Sequence, residues 1–174
     1  MFEGWDSFYI LIGGAAGALI GLMFVVATLT AGLEQSTVSR GMRVYLSPVV
    51  FHFSVVLLIS AIASVPHLAP WVVSASLGFL ALTGIVYSAK ITKNLFDNKW
   101  GEILPDVSDR CFYGIGPLFI YLALAGSAAA VTTEPKLAVQ LLAVILLVVL
   151  AIGIRNAWDL VTTIAQRRPA ETPR

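Results

Sequence analysis

Five runs of about 20 residues contain not one Asp, Glu, Lys or Arg: Phe8–Ala31, Ser47–Pro66, Trp71–Ala89, Phe112–Val131 and Leu137–Ile154. That is the length a mostly apolar helix needs to cross the hydrocarbon core of a bilayer. All 11 basic and 10 acidic residues lie between or outside these runs. A backbone in lipid must satisfy its own polar groups, which leaves helices and closed barrels. The runs are continuously apolar rather than alternating, so they predict helices. The expected architecture is all-α, a bundle of five transmembrane helices in a polytopic membrane protein. Composition agrees: 58% of residues are hydrophobic and only 12% charged, half the charge of an average soluble domain at about 25%. A chain with so little polar surface cannot cover a water-facing globule.

The flanks supply start and stop signals. Ser47-Pro48 reads as an N-cap with proline in the first turn, where its missing N–H costs nothing. Val65-Pro66 closes that helix, and Pro66–Pro70 is a tight connection to the third. Thr133-Glu134-Pro135 opens the fifth helix in the same manner. Asp106 and Asp109 precede the fourth, where negative charge complements a helix N-terminus. No breaker follows Arg155 until Pro169, so the fifth helix is expected to project beyond the membrane. One domain is expected over residues 1–168, with 169–174 a frayed tail.

Orientation follows from the basic residues, which accumulate on the cytoplasmic side. One side carries ten: Arg40, Arg43, Lys90, Lys93, Lys99, Arg110, Arg155, Arg167, Arg168 and Arg174. The other carries only Lys136. The N-terminus is therefore expected outside and the C-terminus in the cytoplasm. Glu3 and Asp6 replace the basic region of a signal peptide, so the first run is expected to stay as a span. Aromatic residues suit the two interfaces, with Trp5, Tyr9 and Trp71 outside and Tyr45, Tyr87, Tyr113 and Trp158 inside. In the long connection Lys90–Cys111, the apolar residues Leu95, Phe96, Trp100, Ile103 and Leu104 suit either a short helix on the membrane surface or a solvated loop with buried anchors.

Several features are candidates for chemistry. Gly13, Gly17 and Gly21 repeat every fourth residue in the first helix, a small-residue pattern that lets a second backbone approach closely. The partner is either another copy of the chain or another helix of the same one. His52 stands inside the second span, about 7 Å from Ser47 at ~1.5 Å per residue. It is either a pH-sensitive gate or a neutral imidazole bonded to a neighbouring helix. Ser76, Thr83 and Tyr87 share one face of the third helix. They line a polar path, or bond across helices and to their own backbone. At the end of the fifth helix, Gly153-Ile154-Arg155-Asn156-Ala157-Trp158-Asp159 places Arg155 and Asp159 on one face. Asp109, Arg43 and Glu34 fall at the same level, so the set reads as a vestibule or inner gate, or as a ring of salt bridges fixing helix ends.

The segment Tyr45–Phe53, the motif Gly153–Asp159 and the first-helix glycines resemble those of small, uncharacterised bacterial multi-pass inner-membrane proteins. In that group histidine is common at the position of Arg155. The resemblance implies a bacterial inner membrane and brings no activity with it.

Other classes are disfavoured. A net charge of +1 argues against nucleic acid as a partner. Cys111 is the only cysteine, which excludes an intrachain disulfide and a cysteine-based zinc site. Nucleotide, metalloprotease and nucleophile-elbow motifs are absent, and no span holds a carboxylate of the kind ion-coupled pumps use. No cofactor is expected, and an enzyme is the weakest reading. A passive channel or facilitator for a small ion or solute, homo-oligomeric through the first helix, is the first expectation. An accessory or scaffold subunit of a larger membrane complex is the alternative, its basic face meeting partners or anionic lipid.

Overall fold

The computed structural model describes residues 2–30, 38–97 and 106–166. These form five long helices: α1 (Asp6–Thr30), α2 (Val38–Ala63), α3 (Pro70–Phe96), α4 (Val107–Ala130) and α5 (Pro135–Gln166). Each is long and apolar enough to cross a membrane. There is no strand among the described residues. The surface the bundle turns outward is apolar, with Ile10, Phe24, Phe79 and Phe119 all about two-thirds exposed or more. In water such a surface would associate; in lipid it is solvated. The chain is thus built as a multi-pass membrane protein.

Local signals explain most boundaries. Pro70 opens α3 and Pro135 opens α5, each where a missing N–H has no intrahelical partner to lose. Asp106 and Asp109 form a capping box at the start of α4. There the Asp109 Oδ2 accepts from the Asp106 N–H at 3.3 Å, holding the first turn. Between α2 and α3, His67 adopts a left-handed backbone at φ 56°, which reverses the chain within Ser64–Ala69. As expected from the lack of breakers, α5 continues unbroken to Gln166. Its 32 residues extend for about 48 Å, well beyond the ~30 Å hydrocarbon core.

One boundary differs. Ser47-Pro48 is not a helix start, because α2 begins at Val38 and carries Pro48 in its interior. The helix tolerates the proline although it removes the hydrogen bond to the Val44 carbonyl. Ser47 has a different use: its Oγ accepts from the Tyr87 hydroxyl of α3 at 3.0 Å. The aromatic registration also shifts. Trp71 and Trp158 are about 70% exposed, as interface anchors are, whereas Tyr9 and Tyr113 are buried. Tyr9 lies against the rings of Phe2 and Phe8. Of the anchors expected after α3, Leu95 is buried within it and Phe96 is exposed. Trp100, Ile103 and Leu104 lie outside the described residues, as do Glu34 and the side chain of Arg43.

The centre of the bundle is α2 against α5. Half of the most apolar stretch of each is buried, compared with 22% for α1 and 28% for α3. Helix α1 packs mainly on α2, while α4 lies against α5 and carries α3 on its far side. Core layers therefore run from Ala16 through Phe53, Val56 and Ile59 to Leu142 and Leu146, then to Tyr121, Leu124 and Leu77.

Glycines set the closest contacts, but mostly not those of the α1 stripe. A Cβ added to Gly153 would lie 2.5 Å from the Phe53 ring, and one on Gly84 would enter the Tyr121 ring. One on Gly114 would lie 2.8 Å from Thr92 Oγ1. In α1, a Cβ on Gly13 would lie 2.9 Å from Ser60 of α2, while Gly17 and Gly21 face open space. Gly84→Ala and Gly153→Ala should therefore each destabilise the protein by ~1–3 kcal/mol through overpacking. Gly17→Ala should be neutral, or stabilising by up to about 1 kcal/mol through helix propensity. Unfolding titrations in mixed detergent micelles check both directions.

Candidate functional site

The Arg155 end of the bundle gathers most of the polar side chains, and the π-helical turn Arg110–Ile115 of α4 organises them. Within this turn the Gly116 N–H bonds back five residues to the Cys111 carbonyl. In that register the next carbonyl, Phe112, stands opposite Pro117, which has no N–H to give. Asn156 supplies the missing donor. Its side chain is fully buried, and its Nδ2 donates to the Phe112 carbonyl at 3.0 Å. The Asn156 carbonyl in turn accepts from the Tyr113 hydroxyl at 2.9 Å. Two side-chain-to-backbone bonds thus lock α4 to α5, through Phe112 and Tyr113 on one and Asn156 on the other.

Arg155 is held by neutral partners. Its Nη2 donates to Ser108 Oγ at 2.6 Å and its Nη1 to Asn156 Oδ1 at 3.0 Å. The guanidinium lies over the Phe112 ring, 3.9 Å from its centroid, a cation–π contact. Asp159 shares the helix face with Arg155 but lies instead beside Tyr113, whose hydroxyl is 3.5 Å from Oδ2. Asp109 belongs to the capping box. Arg110, from the same π turn, sits over Phe96 at 5.1 Å. Arg155, Asn156, Asp159 and Asp109 therefore do come together, as their level in the membrane suggested. Hydrogen bonds tie Arg155 to Asn156 and, through Tyr113, Asn156 to Asp159. Asp109 meets Arg155 and Asp159 through electrostatic interaction, and no ion pair links Arg155 to Asp159.

His52 lies deeper, 1% exposed, in a separate node. Its Nδ1 is 2.8 Å from the Tyr121 hydroxyl, and the two rings are tilted at 30°. Phe51 stacks on Tyr87 with ring centroids 4.4 Å apart, closing one side. The space lined by His52, Pro117, Ile120, Tyr121, Val149 and Ile152 has no room for a water molecule. The second ring nitrogen, Nε2, is buried without a partner. The neutral tautomer with the proton on Nε2 lets the tyrosine donate to Nδ1, and leaves one N–H unpaired. The Nδ1 tautomer donates to the tyrosine and leaves Nε2 an empty acceptor. His52 and Arg155 do not form one site.

The hydroxyls of α3 do not converge on a common space. Thr83 is exposed and donates to the Phe79 carbonyl of its own helix at 2.8 Å. Ser76 is half-buried. Ser74, outside the face chosen from sequence, crosses to the Ala128 carbonyl of α4 at 2.8 Å, and Ser127 crosses to the Ala138 carbonyl of α5 at 3.0 Å. At the opposite end, Glu3, Asp6 and His67 line an open depression of about 400 Å³ together with Phe2, Pro66 and Val73. Among the described residues no group of three or more His, Cys, Asp or Glu is placed to hold a metal ion. Cys111 is exposed.

Sequence reasoning missed Tyr121, Ser108 and the π turn. Pro117 five residues after Phe112 was the available signal, since a proline in a span frees a carbonyl that some neighbour must satisfy. In comparisons with known proteins, no family model matches the chain, and no curated protein or solved structure is significantly similar to it.

Asn156→Ala should destabilise by ~1–3 kcal/mol, because the Phe112 carbonyl, which stands opposite Pro117, then loses its donor. Tyr121→Phe should cost a similar ~1–3 kcal/mol by leaving both nitrogens of His52 unpartnered. Chemical unfolding of the purified protein measures each. An unchanged midpoint in Asn156→Ala would mean that the π turn finds another donor.

Proposed function

We propose that this chain is a non-enzymatic accessory or scaffold subunit of a bacterial inner membrane, with its N-terminus outside and its C-terminus in the cytoplasm. One observation carries the reading: Arg155, Asn156 and His52, the described polar side chains central to the candidate gate, are engaged with other side chains or with backbone. Asn156 closes the π turn, Arg155 is tied to Ser108 and Asn156, and His52 is sealed against Tyr121 with no water-sized space beside it. A conduit needs polar groups that face a shared path, and these serve to fix helix positions. A rigid bundle with a long apolar perimeter and a cytoplasmic extension of α5 suits a subunit that docks beside other membrane components. The basic side of the chain adds attraction for anionic lipid.

A second reading, a channel formed between copies, has its own supporting observation. Gly17 and Gly21 present open space on α1, so the stripe has room for the backbone of a neighbouring copy. Hydroxyls and backbone of several subunits would then form the path.

Planar-bilayer recordings of the purified protein from about pH 5 to pH 8, the range in which histidine changes charge, separate the two. The accessory reading expects no discrete currents from folded protein, together with stable co-purification of partner subunits from native membranes in mild detergent. Currents that change in His52→Ala would overturn it in favour of the channel. Crosslinked oligomers that vanish in Gly17→Leu, with the monomer still folded, would assign the stripe to self-association.

A further inference from the structure

We propose that the groove between α4 and α5 beside Arg155 is a specific site for an anionic phospholipid, with the headgroup phosphate on the guanidinium and an acyl chain along α5. The groove holds about 580 Å³ and is lined by Phe112, Leu147, Val148, Ala151, Ile152 and Arg155. Its only charged member stands at one end. From Arg155 the lining follows α5 back two turns to Leu147, a distance of about 12 Å at ~1.5 Å per residue. That direction leads from the end of the span toward its apolar middle, the path an acyl chain takes from its headgroup.

The guanidinium is prepared for an anion. It carries five N–H donors in a rigid fork, and its two recorded acceptors, Ser108 Oγ and Asn156 Oδ1, are both neutral. The nearby carboxylates belong to other contacts. Asp109 Oδ2 accepts from the Asp106 N–H, and Asp159 Oδ2 lies beside the Tyr113 hydroxyl. Asp109 feels the Arg155 charge through space, but the hydrogen bonds of the guanidinium go to Ser108 and Asn156, at the place where apolar helix gives way to polar residues. Contact with Phe112 fixes the plane of the fork, so little side-chain freedom remains to be lost when a phosphate engages it in two parallel bonds. A soluble phosphate would use the fork but not the apolar groove. A neutral lipid would use the groove but leave the fork's charge unmatched. An anionic phospholipid uses both. This inference holds whether the chain acts as an accessory subunit or as a channel.

Delipidated full-length protein in detergent is titrated with phosphatidylglycerol or with phosphatidylcholine of the same acyl chains, and bound lipid is counted by native mass spectrometry. The wild type should retain phosphatidylglycerol at about five-fold lower concentration, the contribution expected of one basic side chain at an anionic surface. Arg155→Gln should erase that preference, and Arg155→Lys, which keeps the charge without the fork, should restore part of it. Ala151→Trp fills the groove while keeping the Arg155 side chain, and should reduce retention of both lipids. Equal retention of the two lipids by the wild type overturns the proposal, as does a preference that survives in Arg155→Gln or a retention of both lipids that Ala151→Trp leaves unchanged. Displacement of phosphatidylglycerol by equimolar glycerol phosphate also overturns it, since that would make Arg155 a site for a soluble anion. Thermal unfolding verifies that each variant is folded; if Arg155→Gln is not, Ala151→Trp decides alone.

Discussion

A carbonyl inside a bilayer has no water to bond, so any interruption of a helix there must be repaired by another part of the protein. Pro117 creates such an interruption in α4, and the π turn Arg110–Ile115 shifts it onto the Phe112 carbonyl. Asn156 repairs it from α5. The repair fixes the rotation and height of α5 relative to α4, since an amide reaches a carbonyl only over about 3 Å. Much of the Arg155 end depends on it. Tyr113 can bond the Asn156 carbonyl because α5 is held there, and Arg155 can lie over Phe112 because the π turn presents that ring.

The second organising feature is the absence of side chains at a few points of contact. Between apolar helices already solvated by lipid, association rests on close packing and on hydrogen bonds. Gly153 admits the ring of Phe53, which brings α2 onto α5, and Gly84 admits Tyr121, which brings α3 onto α4. Tyr121 then reaches His52 with its hydroxyl, linking α4 to α2 across the core. Ser74 and Ser127 tie the opposite end by donating to carbonyls of neighbouring helices. The polar residues of this membrane interior therefore act mainly as fasteners, and this is the property from which the accessory reading is drawn.

The five spans, the acidic start of α4 at Asp106 and Asp109, and the length of α5 were all legible in the sequence, although the capping box those two aspartates form was not. Each is decided by residues close together in the chain: an uncharged run, negative charge before a span, or the lack of a breaker before Pro169. The cluster around Arg155 was legible as a neighbourhood, because residues at the ends of spans share a membrane level. Its bonding was not. Arg155 and Asp159 at helical spacing suggested an ion pair, whereas the guanidinium turned to Ser108, 47 positions away in sequence. The glycine stripe was read from its regular spacing, but spacing cannot tell which glycine meets a neighbour, and among the described residues only Gly13 of the three does so.

Ser47-Pro48 marks the same boundary between local and tertiary information. As a dipeptide it resembles a helix start, yet α2 runs through it, and Ser47 instead accepts a hydrogen bond from Tyr87. The sequence by itself determined that this chain is a five-helix membrane protein, because the cost of placing charge in lipid acts on each span separately. Only the tertiary structure decided what its polar residues do. A buried histidine, an asparagine or an arginine takes its role from the carbonyl, hydroxyl or ring opposite it, and helix packing places those groups there from distant parts of the chain.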